Sequence, residues 1–132
     1  MWIDNDWLNM AYTEFFYNSN GLLTSDISKS WSDNAWVNNM KTSYTYEGNL
    51  KMSAESENWE NETWVPYIKS QWTYNENNRV TNIVDQLWMN DQWVNISQTT
   101  YTFDGVNCIE LLMQDWVNDA WETTHITTYE YD

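Results

Sequence analysis

Large apolar residues recur along this chain at fixed, mostly even intervals. Trp residues five apart form pairs at Trp2/Trp7, Trp31/Trp36, Trp59/Trp64, Trp88/Trp93 and Trp116/Trp121, and successive pairs stand 29, 28, 29 and 28 residues apart. Eight and ten residues beyond the second Trp of each pair come Phe15/Tyr17, Tyr44/Tyr46, Trp72/Tyr74, Tyr101/Phe103 and Tyr129/Tyr131. Six residues beyond it a hydroxyl recurs as Thr13, Thr42, Ser70, Thr99 and Thr127; two beyond it stand Asn9, Asn38 and Asn95, with Pro66 and Thr123 in the other copies. Even offsets are the mark of one face of an extended strand, because side chains alternate sides with period two. The pattern therefore predicts a long strand, here called A, running from the second Trp of each pair to its aromatic doublet, with both aromatic columns on one face.

Turn chemistry follows each doublet: Asn18-Ser19-Asn20-Gly21, Glu47-Gly48-Asn49, Asn75-Glu76-Asn77-Asn78 and Asp104-Gly105-Val106-Asn107. Gly and Asn accept the positive φ that tight hairpins require. A second strand, B, returns to the next Trp pair, and the polar residues between the two Trp turn the chain into the next A strand. A period of 28 to 29 residues leaves no room for crossover helices. The fold class expected is all-β: an antiparallel meander of about nine strands, five A and four B, in an open twisted or spiralling sheet. A barrel or a folded-over sandwich is the alternative. A chain that begins and ends on an A strand would close a barrel only by pairing two parallel strands. Residues 1–132 form a single repeat domain with units at about 2–30, 31–58, 59–87 and 88–115 and a half-repeat at 116–132.

Composition narrows the function. The 132 residues carry 20 acids against 5 bases, a formal net charge of −15, which argues against a nucleic-acid backbone or an anionic lipid surface as partner. Aromatics make up 17% of the chain, enough to set it apart from disordered acidic sequences. Lone Cys108 excludes an intrachain disulfide, no segment is long and apolar enough to insert in a membrane, and the start Trp2-Ile3-Asp4 lacks the character of a secretion signal. A secreted parent would have lost its signal, or the chain is a fragment of it.

The pattern Trp-x-Asn-x-x-Trp-x-Asn, followed by Tyr-Thr-Tyr and an Asn/Gly turn, resembles the tandem β-hairpin repeats of large secreted proteins from Bacteroidetes. More distantly, Tyr44-Thr45-Tyr46-Glu47-Gly48-Asn49 and Tyr129-Glu130-Tyr131-Asp132 are similar to the core of YD (RHS-type) repeats, which build spiralling β shells. The resemblance implies an extracellular or cell-surface module with no catalytic motif.

Catalytic patterns are missing from the sequence as well. There is no Gly-x-Ser-x-Gly, no phosphate-cradling Gly-Lys-Ser/Thr and no His-Glu-x-x-His. His125 occupies a position filled elsewhere by Ala11, Met40, Ile68 and Ser97, so the repeat builds no histidine site. The acidic links within the Trp pairs, such as Asp4-Asn5-Asp6 and Glu60-Asn61-Glu62, fall short of the ligand count of a calcium cage and read as solvated turns. No catalytic residue, metal or cofactor is expected. Asn61-Glu62-Thr63 and Asn95-Ile96-Ser97 fit the N-glycosylation pattern by composition.

The remaining candidate is the aromatic columns. Trp7, Trp36, Trp64, Trp93 and Trp121 could stack on sugar rings, with Asn9, Asn38 and Asn95 taking hydroxyls. The competing expectation, and the favoured one, is that these aromatics are the buried core. Two functions follow: a non-enzymatic spacer, stalk or adhesive segment of a larger secreted or surface protein, or a carbohydrate-binding module. The partners expected are a polysaccharide or another surface protein.

Overall fold

The structure, a computed structural model, describes Trp2–Ile3, Asp6–Trp7 and residues 10–131, with side chains from residue 10 onward. Strands β1 (Trp2–Ile3) and β2 (Asp6–Trp7) pair in a short ladder that sets Trp2 opposite Trp7. Nine strands then form one antiparallel sheet. They are β3 (Ala11–Tyr17), β4 (Leu23–Ser32), β5 (Ala35–Glu47), β6 (Leu50–Glu60), β7 (Thr63–Tyr74), β8 (Val80–Met89), β9 (Gln92–Asp104), β10 (Asn107–Val117) and β11 (Ala120–Thr128). The spatial order is the chain order, with β3 and β11 at the two open edges. The five A strands are β3, β5, β7, β9 and β11, and the four B strands lie between them.

The two ends of the sheet turn differently. At the Trp end each link is a two-residue turn with both central residues at positive φ: Asp33 and Asn34, Asn61 and Glu62, Asn90 and Asp91, Asn118 and Asp119. That is the sign pattern of a type I′ turn, whose twist matches the flanking strands and brings the two Trp of a pair directly opposite each other. At the far end two tight turns open on a glycine at positive φ, Gly48 and Gly105, and Gly21 takes positive φ in a longer loop. The other two are longer loops held by an Asn side chain: Asn18 Oδ1 accepts from the amides of Asn20 and Leu22, and Asn75 Oδ1 from those of Asn77 and Arg79.

Each A strand from β5 onward holds one extra residue three positions beyond its second Trp. Lys29 faces Asn38 but Ser28 faces Met40, so Asn39 bulges; Tyr67, Ile96 and Thr124 do the same in β7, β9 and β11. A bulged residue reverses the alternation of everything after it. The expectation of a single aromatic face is thereby corrected. The four Trp pairs from Trp31/Trp36 onward, with Asn38 and Asn95, lie on one face of the nine-stranded sheet, and the hydroxyl and Tyr columns on the other. B strands bulge too, at Thr24, Met52, Thr81 and Ile109.

A second correction concerns the core. Among the described residues no hydrophobic side chain is buried, and the only buried residue is Thr42. Each strand packs against its ladder neighbours and, among the described residues, no second layer covers either face, so side chains are shielded only by the residues beside and across from them. The sheet is held by its backbone ladder and by cross-strand side-chain pairs rather than by a dry interior.

Candidate functional site

On the Trp face, the turn geometry forces each pair into edge-to-face contact. Ring centroids are 5.2 Å apart in Trp31/Trp36, 4.8 Å in Trp59/Trp64, 5.2 Å in Trp88/Trp93 and 4.9 Å in Trp116/Trp121, with interplanar angles of 64 to 73°. This is the favoured arrangement of two aromatic quadrupoles. Three of the predicted stacking residues carry further neighbours. Tyr12 packs edge-on against Trp36 at 4.5 Å, Lys41 Nζ lies 5.1 Å from the Trp64 ring centre, and Lys69 Nζ lies 5.6 Å from that of Trp93. Trp36, Trp64, Trp93 and Trp121 are all half-buried. Of the predicted hydroxyl-binding residues, Asn95 Oδ1 accepts from Gln86 Nε2 at 2.9 Å, and Asn38 stands across from Lys29. Trp7 is placed only by its backbone in β2, and Asn9 lies outside the described residues.

Cations on this face are neutralised. Lys29 binds Glu14 at 2.9 Å, Lys69 binds Glu55 at 3.4 Å, and Lys41 binds Glu57. The Glu14 partner holds the Lys29 ammonium above its usual range, and Lys29 in turn holds the Glu14 carboxyl below the ordinary carboxylate value. Beyond β7 the ion pairs give way to an amide row, in which Gln98 Nε2 donates to Gln114 Oε1 at 2.8 Å and Asn82 Nδ2 to Thr100 Oγ1 at 3.0 Å.

The Tyr face is organised by phenols. Tyr46, Tyr74 and Tyr131 each donate to the backbone carbonyl 23 residues earlier, those of Leu23, Lys51 and Cys108, at 2.9, 2.7 and 2.9 Å. Each bond reaches from an A strand, or for Tyr131 from the segment just past β11, to the start of the preceding B strand, beside its bulge. In the fourth copy the corresponding residue is Phe103, which has no hydroxyl to give to Val80. There the face is indented: a shallow depression of about 380 Å³ is lined by Arg79, Val80, Ile83, Tyr101 and Phe103. The Arg79 guanidinium lies 5.6 Å from the Phe103 ring centre, and its Nη1 donates to the Val106 carbonyl.

Sequence reasoning from the columns missed this depression. Two signals mark it: Arg79 is the only arginine of the chain, and Phe103 is the only phenylalanine in a column otherwise filled by Tyr17, Tyr46, Tyr74 and Tyr131. Among the described residues no group of three potential metal ligands is assembled. His125 Nε2 hydrogen-bonds Thr127 on its own edge strand at 2.8 Å.

No protein-family model and no curated protein matches the chain. Solved structures do. A protein of unknown function from Bacteroides fragilis superposes with a TM-score of 0.74 over 91% of this chain and 92% of that one, at 12% identity. The fold is shared. A DUF3836 family protein from Parabacteroides distasonis matches 66% of this chain and 87% of its own with a TM-score of 0.50 and 23% identity. At such identities the likeness concerns architecture and carries no site residues across.

Proposed function

We propose that this chain is a non-enzymatic extracellular repeat module that serves as a spacer, stalk or adhesive segment of a larger secreted or surface protein. The observation that carries this reading is the single-layer sheet itself: each strand packs against its ladder neighbours and no apolar side chain among the described residues depends on a closed core. A domain with a core has a fixed size. A sheet without one lengthens by a constant step for each hairpin added, as stacked repeats do. The open faces suit adhesion as well, since Phe15 and Tyr17 stand 57% and 61% exposed near one edge.

Inserting one more copy, a duplicate of residues 59–87, should raise the maximum dimension in small-angle X-ray scattering by about 10 Å, two strand spacings. A variant that stays folded with unchanged length would overturn the spacer reading, because the added hairpin would then have folded back over a face.

A further inference from the structure

We propose that the depression between Arg79 and Phe103 binds a pyranose that carries one carboxylate, such as a uronic acid at the end of a glycan chain. Two departures from the repeat meet at this one place. The positions equivalent to Arg79 hold Leu22, Leu50 and Asn107, so the fold does not need a cation there. The position of Phe103 holds Tyr in every other copy, and the Tyr46, Tyr74 and Tyr131 phenols each bond to a carbonyl of the preceding B strand. Phe103 leaves the Val80 carbonyl without that donor. A repeat that breaks its own pattern twice within one depression gives up local regularity there, as proteins do where a site is built.

The parts match the ligand. Tyr101 and Phe103 supply aromatic surface for the apolar face of a sugar ring, with Val80 and Ile83 beside them. Val80 lines the depression and lacks the phenol donor that its counterparts receive, so its carbonyl would accept from a sugar hydroxyl. Arg79 is set in position by the Val106 carbonyl and by the Phe103 ring, and among the described residues its other guanidinium N–H donors make no further hydrogen bond, which leaves them to meet a carboxylate. Unlike Lys29, Lys41 and Lys69, it has no carboxylate partner among the described residues. The openness of the depression suits a ring laid flat rather than a chain threaded inward. The net charge of −15 sets the limit on the ligand. A polyanion would meet repulsion along its whole length, whereas one carboxylate held at Arg79 is screened from distant acids beyond about 8 Å at physiological salt.

This inference extends the adhesive half of the proposed function and is independent of the spacer half, whose scattering test stands whatever the sugar does. The experiment is titration calorimetry at physiological ionic strength with glucuronate-terminated xylotriose and sialyllactose, against xylotriose and lactose. One of the acidic sugars should bind, and its neutral counterpart at least about tenfold more weakly, the usual weight of a charge-assisted hydrogen-bond pair. Arg79→Leu and Phe103→Tyr install residues the repeat itself uses at these positions, so both variants should fold. Arg79→Leu should weaken binding at least about tenfold by removing the fork, and Phe103→Tyr should weaken it by returning a phenol to Val80. Absence of binding by both acidic sugars, equal binding of acidic and neutral forms, or full affinity in folded Arg79→Leu would each overturn the proposal.

Discussion

Tyr44 shows how much a single side chain can carry in a sheet without a core. Its phenol donates to Asp26 Oδ2 at 2.7 Å, and Lys51 Nζ lies 4.8 Å from its ring centre. Partial burial first, and then the hydrogen bond and the negative charge of Asp26, push the phenol up to about 12 from an ordinary value of 10. A proton held more tightly in the folded state than in the unfolded one stabilises fully below the unfolded value and is lost as pH rises through the folded one. Stability to urea should therefore fall between about pH 10 and 12 in the wild type, with less loss in Tyr44→Phe. Tyrosinate difference spectra should lose a phenol that ionises near pH 12 in the same variant. The columns made Tyr44 legible as a repeated position. Its partner was not, because Asp26 stands 18 residues away on another strand, and only pairing of β4 with β5 brings the two together.

At the level of elements, the Trp-end turns were written in the sequence more clearly than anything else. Asn, Asp and Glu between two Trp announced a tight reversal, and the structure places both central residues of each at positive φ. Glu62 is the least suited of them, since a side chain without the local hydrogen bonding of Asn or Asp sits there at φ 62°. Glu62→Gly should stabilise the protein by about 0.5–1 kcal/mol, read as a higher urea midpoint with unchanged slope. An equal or lower midpoint would show that Glu62 makes up for its backbone through contacts elsewhere. The bulges were illegible for a plain reason. Asn39, Tyr67, Ile96 and Thr124 share no residue type, and inserting an odd residue into a strand leaves the spacing of Trp and Tyr columns numerically even while sending them to opposite faces. Even spacing alone sets the Trp and Tyr columns on one face, and it carries no sign that Arg79 and Phe103 meet in a depression on the other.

For the whole molecule, a sheet stabilised only between neighbours should be strongest in the middle and weakest at its edges. Amide exchange should be slowest in β6, β7 and β8 and fastest in β3 and β11, grading outward strand by strand; uniform protection would indicate a cooperative unit instead. Ile126, on the edge strand β11, is already 56% exposed. Within the nine-stranded sheet the number of strands, their order, their antiparallel sense and the positions of their turns follow from the sequence alone, because period-two alternation and turn chemistry are local and repeat four times over; Trp7, expected to open the first A strand, stands instead in the separate β1–β2 ladder. Tertiary structure decided two things that local rules do not reach. It divided the aromatics between two faces, since a bulge appears only when a strand is matched residue by residue against its partner. It also left both faces without a covering layer: a hydrophobic pattern says which side chains gain from burial, but whether anything is present to bury them depends on how the whole sheet closes, and this one stays open.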